Sequence, residues 1–414
     1  MAYIPKIRTP TGDITLRPEE ISATFRDYYA SLYNLSGTTS PPPGAIRDYL
    51  AANLRVRLRD TEAEQLEEPI SAGEIAAALK SAKNGKSPGP DGLPVEYYKE
   101  LRDTLVPHMV TTFNAITAET PLHPHTLCAT ITVLPKPGKD PSECTSYRPI
   151  SLLTSDIKIL ARILADRLKP YLPGLVHTDQ VGFIPGREAR DGTQRAINAV
   201  SAARRSGQRL LLLSTDTEKA FDRVLWPFLF QTLRTLGMGP NFLTWVRALY
   251  TSPTARIKVN GARSTSFSIT NGTQQGCPLS PLLFALSLEP FLEAIRRNSA
   301  IPGLKGVNSS HKVAAYADDL LFFLTDAHRS LQVVVREFEV YGELAGLKIN
   351  MSKSEILNIS VPEAEATGIR DSFPFHLSRS HVPTLSPCPL YSLCLCFPVL
   401  LSLTCSSGVK FFAR

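Results

Sequence analysis

Residues Val313 to Leu324 read Val-Ala-Ala-Tyr-Ala-Asp-Asp-Leu-Leu-Phe-Phe-Leu, two apolar runs flanking a bare pair of carboxylates. Each run is too short for a helix and suits a buried strand. Two strands meeting at Ala317-Asp318-Asp319 predict a β-hairpin with both acids at its tip. Carboxylates beside buried strands are unfavourable unless positive charge sits on them. A divalent cation, Mg²⁺ first, is the neutraliser that oxygen ligands favour. An ordinary turn, in which Asp is common, is the alternative.

A second acid narrows the choice. Arg209 to Asp216 reads as a buried strand ending in a carboxylate, followed by Thr217-Glu218-Lys219-Ala220-Phe221-Asp222-Arg223. Asp216 and the Asp318-Asp319 pair lie about a hundred residues apart. Only a sheet that sets their strands side by side brings them to one metal pair. Two ions about 4 Å apart on such acids stabilise the attacking and leaving oxygens of an in-line phosphoryl displacement.

These residues resemble the reverse transcriptase of non-LTR retrotransposons of the long interspersed element type. In that family an acid, a spacer and Phe-Asp form one catalytic motif, and Tyr-Ala-Asp-Asp forms another. Further matches follow in the family's order: Lys86-Ser87-Pro88-Gly89-Pro90-Asp91-Gly92, Tyr147 to Leu152, Gln180-Val181-Gly182-Phe183, Gln275 to Pro281 and Gly346 to Asn350. The whole set in order, from near the start of the chain to Arg379, carries the resemblance.

The resemblance implies an α+β right-hand polymerase fold. Its parts are an N-terminal helical and linker region (1–65), fingers (66–200), a palm of antiparallel sheet and helices (201–360), and an incomplete thumb start with an aberrant tail (361–414). It implies two Mg²⁺ ions, with Mn²⁺ as a substitute, held by Asp216, Asp318 and Asp319, and it names an RNA template, a DNA primer and dNTPs as partners. Lys136 and Arg148 resemble the cations that hold the incoming triphosphate, a point charge and a planar fork; a solvated face is the alternative for each. Phe221 stands where a bulky ring excludes the ribose 2′-hydroxyl, with core packing as the competing account. Gln275 is the candidate for orienting the template base and nucleotide, and Gly276 permits close backbone approach to that nucleotide. Lys86 and Arg187 are expected to meet template backbone. Lys353, ahead of Lys348, is the candidate acid for the pyrophosphate leaving group. Gln274 departs from the Arg of many family members.

Local patterns fill in the elements. Residues 16 to 34 predict an amphipathic helix, and Ser36 to Gly44 a linker. Ser71 to Ala82 predicts a helix with Glu74 at the capping-box position. Ile157 to Leu168 reads as a basic amphipathic helix near nucleic acid, and 189 to 205 as a helix stopped by Gly207. Asn260-Gly261 marks a hairpin turn.

A formal net charge of +7 over 414 residues suits a polyanionic partner, although many basic proteins bind no nucleic acid. The first eight residues lack an apolar segment of the secretory kind, and Cys128, Cys144 and Cys277 show no metal-ligand spacing. Both point to an intracellular protein, in cytoplasm or nucleus, and the membrane is not an expected partner. Nothing in the sequence fixes an oligomeric state. From His381 to Ser407 there is no Asp, Glu, Lys or Arg, and Leu, Pro, Ser and Cys dominate. A gene-model artefact is the preferred account of that stretch over a membrane anchor spanning Pro387 to Cys405. The family's endonuclease and most of its thumb are expected to be missing. The rival functional account is a catalytically inactive relic that at most binds nucleic acid; the rival enzyme is an intron-type or telomerase-type reverse transcriptase.

Overall fold

The computed structural model describes residues 3–35, 41–306, 310–373 and 375–379. The tail from 380 onward, on which the artefact and anchor readings fall, lies outside the described residues, as do residues 36–40 of the expected linker. Two units are present, each gathered from separate stretches: residues 1–47, 56–171 and 221–287 form the first, and 48–55, 172–220 and 288–414 the second. They interleave along the chain, whereas the divisions expected from the sequence fall at 65, 200 and 360.

In the first unit, β-branched Ile131, Thr132 and Val133 favour a strand at Cys128–Pro135. It pairs antiparallel with Tyr147–Leu152 and parallel with Thr254–Val259. Asn260 and Gly261 both take positive φ, 49° and 88°, as a two-residue hairpin turn requires, and lead into Ala262–Arg263. Helix Pro18–Leu32 buries Ile21, Phe25 and Tyr29, and the Phe25 ring meets Tyr147 edge-on at 5.0 Å. Helix Ala72–Ser81 opens with the expected capping box: the Ser71 hydroxyl accepts from Glu74 N–H, and Glu74 accepts from Ser71 N–H. Glu74 also holds the Arg167 guanidinium, which donates to the carbonyls of Leu66, Glu68 and Pro69. Arg167 therefore ties helix Ser155–Leu168 to its neighbours and is not available to a ligand.

The second unit is built on a five-stranded sheet. Its order is Val313–Tyr316, Asp319–Leu324, Leu211–Thr215, Glu355–Asn358, His376–Arg379. Leu211, Leu212, Leu213, Phe322, Phe323 and Leu324 are all buried, because helices cover both faces. On one face Leu212, Leu321 and Phe323 pack with Ala196, Ala199, Val200 and Ala203 of helix Ala189–Ser206. On the other, Phe322 meets Phe338 of helix Ala327–Ala345 at 5.9 Å.

One correction concerns this sheet. It is antiparallel except at its last edge, where His376–Arg379 runs parallel to Glu355–Asn358. A parallel neighbour needs a crossover, and helix Glu363–Ser372 supplies it. Residues expected to begin a thumb thus complete the sheet that carries the acids.

Candidate active site

The sheet register brings the three acids together. Tyr316 pairs with Asp319, leaving Ala317 and Asp318 as a two-residue loop, and Leu320 pairs with Thr215. Asp216, next after Thr215, is thereby set beside the hairpin tip. Ala317 has φ 55°. Positive φ at the first loop residue and not the second is the pattern of a II′ turn, where Gly is usual. An alanine there costs about 1–2 kcal/mol relative to ordinary backbone, so the turn needs outside support.

Asp216 is braced from a different stretch. Its carbonyl accepts from Asn350 N–H at 2.8 Å, and Glu218 N–H donates to Lys348 O at 2.8 Å. The buried Ser354 hydroxyl donates to Asn350 O at 2.8 Å and accepts from Asp216 N–H at 3.2 Å. Lys353 Nζ stands 3.6 Å from Asp216 Oδ2, and Lys348 Nζ stands 3.6 Å from Glu218 Oε2, so the two lysines fall on different acids.

The electrostatics are those of crowded anions. Burial, then the charges of Asp318 and Asp216, pushes Asp319 up to about 7; burial, with Asp216 nearby, also raises Asp318. Such a group is in deficit of positive charge, and its hard oxygen donors suit Mg²⁺ or Mn²⁺. Among the described residues no three carboxylate, imidazole or thiol side chains converge closely enough to enclose an ion. The acids therefore act on one another as neighbours without forming a closed ligand shell.

Arg187 belongs to this unit, and its guanidinium is spent internally. It donates to four carbonyls, those of Pro173, Val176, His177 and Gln180, at 2.7 to 3.0 Å. Burial holds its pKa below the usual arginine value. The geometry makes it a staple of the segment before helix Ala189–Ser206.

Lys86, Lys136, Arg148, Phe221, Gln275 and Gly276 belong to the first unit. Lys136 Nζ donates to Thr145 O at 2.9 Å, while Arg148 is exposed opposite Leu134. The half-buried Phe221 ring stacks on Phe284, centroids 4.2 Å apart. Gln275 turns its amide toward the Asp222 carboxylate at 3.3 and 3.4 Å. Gly276 has φ 112°, and a Cβ there would stand 2.7 Å from the Ser151 carbonyl oxygen. The close approach that demands glycine is therefore protein backbone; Ser151 N–H also donates to Gln275 O at 3.0 Å. Lys86, exposed, lines a cleft of about 580 Å³ together with Lys83, Lys158 and Arg162 and no acidic residue. Burial lowers the pKa of Lys158.

Sequence reasoning missed Ser354, the Gln180 side chain, Tyr33 and the buried Asp222. Each is a polar side chain whose importance lies in what it supports; Gln180 and Asp222 stood inside matched motifs, and neither was given a role there. Among the described residues no helix is long and apolar enough to cross a membrane.

Residues 134–376 match the family described as "Reverse transcriptase (RNA-dependent DNA polymerase)". The chain is 34% identical over 351 residues to the transposon TX1 uncharacterized 149 kDa protein of Xenopus laevis, covering 84% of this chain and 26% of that protein. It is 30% identical over 317 residues to the Pol polyprotein of the type-1 retrotransposable element R2 of Popillia japonica, covering 74% and 42%. With the RNA-directed DNA polymerase of the mobile element jockey of Drosophila funebris it shares 26% identity over 293 residues, covering 69% and 31%. The chain thus spans less than half the length of these relatives. From residue 134 to residue 376 the match takes in all three acids and the first four strands of their sheet, and the chain belongs to the reverse transcriptase family, nucleotidyltransferases of the non-LTR retrotransposon type.

Proposed function

We propose that this chain is an RNA-directed DNA polymerase that transfers dNMP from a dNTP to a primer 3′-hydroxyl on an RNA template. The observation that carries this reading is the crowding of Asp216, Asp318 and Asp319 at the ends of adjacent strands, with Asp319 raised to about 7 by burial and like charge. In the reaction the primer 3′-oxygen forms a bond to the α-phosphorus, the bond from that phosphorus to the bridging oxygen breaks, and pyrophosphate leaves. Two Mg²⁺ ions drawn to this anionic cluster, whose acids do not by themselves enclose an ion, would supply charge compensation at the attacking and leaving oxygens.

The remaining roles fall to the chain's own side chains. Lys353 delivers a proton to the departing pyrophosphate, a role compatible with its exposed position 3.6 Å from Asp216. Lys136 and Arg148 bind the triphosphate. Phe221, fixed by its stack on Phe284, excludes the ribose 2′-hydroxyl, and Gln275 orients the nucleotide. The acid-free cleft bearing Lys83, Lys86, Lys158 and Arg162 takes template phosphates, a sequence-independent contact. The test is primer extension on an RNA template with dNTPs and Mg²⁺. Extension that stops on chelation and resumes with added Mg²⁺ supports the reading. A folded chain that binds RNA and extends no primer marks an inactive relic.

A further inference from the structure

Gln180 is fully buried and turns its carboxamide onto both backbone polar groups of one residue of the acid-bearing turn. Its Nε2 donates to Ala317 O at 3.1 Å, and its Oε1 accepts from Ala317 N–H at 2.9 Å and from Gly182 N–H at 2.8 Å. The side chain thus holds the residue before Asp318 from both sides, as a strand partner does. Ala317 is the residue forced to φ 55°, in the loop position that favours glycine. Gly182 completes the fit: a Cβ there would stand 2.3 Å from Ala317 N, so only glycine lets the clamp close.

The clamp is itself anchored. Val181 N–H donates to Ala315 O at 3.0 Å, and Ala315 N–H donates to Asp179 O at 2.9 Å. The Asp179 carboxylate is gripped by Arg195 at 2.6 Å, His177 at 3.0 Å and Arg296 at 3.6 Å. Arg296 also pairs with Glu289 and Glu293. The segment is therefore fixed to helix Ala189–Ser206 and to Arg296, and three of the four hydrogen bonds Gln180 can make are used on backbone.

We propose that Gln180 is a positioning residue for the catalytic acids: it holds Ala317 in the left-handed region and so sets the direction in which Asp318 leaves the turn. A carboxamide offers a donor and an acceptor to the C=O and N–H of one residue at once; methionine fills the same space and offers neither. The proposal rests on the polymerase reading above for its catalytic half, while the clamp stands on geometry alone.

Four forms of the full chain test it: wild type, Gln180→Met, Ala317→Gly and the double variant. A displacement of about 1 Å lowers turnover about a hundred-fold, so Gln180→Met is expected to lose kcat on that scale, with primer–template Kd changed less than about two-fold. Glycine takes positive φ freely, so Ala317→Gly is expected to recover about ten-fold of that loss in the double variant. A second readout needs no synthesis: the fall in Tm caused by Gln180→Met is expected to be smaller in the Ala317→Gly background, the coupling of residues in contact. If Gln180→Met does not fold, Gln180→Leu, which also offers neither donor nor acceptor, takes its place in the same four-way comparison. Full kcat in a folded Gln180→Met, or weakened primer–template binding with kcat intact, overturns the proposal. So does additivity of the two substitutions in Tm. A wild-type chain without synthesis sinks the polymerase reading, and the Tm coupling then decides the clamp by itself.

Discussion

The Tyr33 hydroxyl donates to the Asp222 carboxylate at 2.8 Å, with both side chains buried. The pair joins helix Pro18–Leu32 to the segment after the Asp216 strand within the first unit, and Asn271 Nδ2 donates to Asp222 O at 2.8 Å beside it. A hydrogen bond to a buried charge contributes about 1.5–3 kcal/mol. Tyr33→Phe is therefore expected to destabilise the chain by about that amount, read as a lower urea midpoint at unchanged m-value.

The acid turn carries a pH signature. Asp319 titrates at about 7 in the folded chain and near the ordinary carboxylate value, about 3.9, when unfolded. Between these values the folded state holds a proton that the unfolded state has lost, so stability falls as pH rises from about 4 to 7 and levels off above. Asp318 is shifted in the same direction and adds the same sign. Thermal melts in metal-free buffer across pH 4 to 8 check this, and Asp319→Asn is expected to flatten the trend. Mg²⁺ at about a hundred times its Kd is expected to restore about 2.7 kcal/mol at the upper end.

RNA binding offers a third check. Each phosphate contact to a single strand contributes about 0.7 to the slope of log K against log salt. Lys158→Ala and Arg162→Ala, which empty cations from the acid-free cleft, are each expected to shallow that slope by about 0.7 in titrations of an RNA oligonucleotide. An unchanged slope removes the cleft from the RNA path.

For sugar selection, the ring of Phe221 is held by Phe284 at 4.2 Å. Phe221→Val is expected to raise the relative kcat/KM for rNTPs about ten- to two-hundred-fold, the range over which pocket shape discriminates. A loss of stability with selectivity unchanged assigns the ring to packing.

Much of this was legible beforehand because it depends on local pattern. The apolar runs around Asp318 and before Asp216 dictated strands, the Ser71 and Glu74 pair dictated a cap, and Asn260-Gly261 dictated a turn. The parallel edge strand was not legible: His376–Arg379 carries no signal of direction, which is decided by the helix that precedes it. Roles that depend on what lies across a gap were also hidden. Gly276 lies against Ser151 backbone and the Arg187 guanidinium meets four carbonyls, contacts across the fold that a linear motif does not announce. Ser354 and Gln180 were missed for the opposite reason, since a buried polar side chain announces itself only when its hydrogen bonds are seen.

The most direct measurement is the single-nucleotide incorporation rate of wild type and Asp318→Asn on a preformed RNA template and DNA primer, with primer–template Kd measured in parallel. The account predicts a fall of about 10³-fold or more in kcat with Kd essentially unchanged, the scale of losing a principal electrostatic contributor at the reacting phosphate. Equal rates for the two proteins, or a loss confined to Kd, would contradict it.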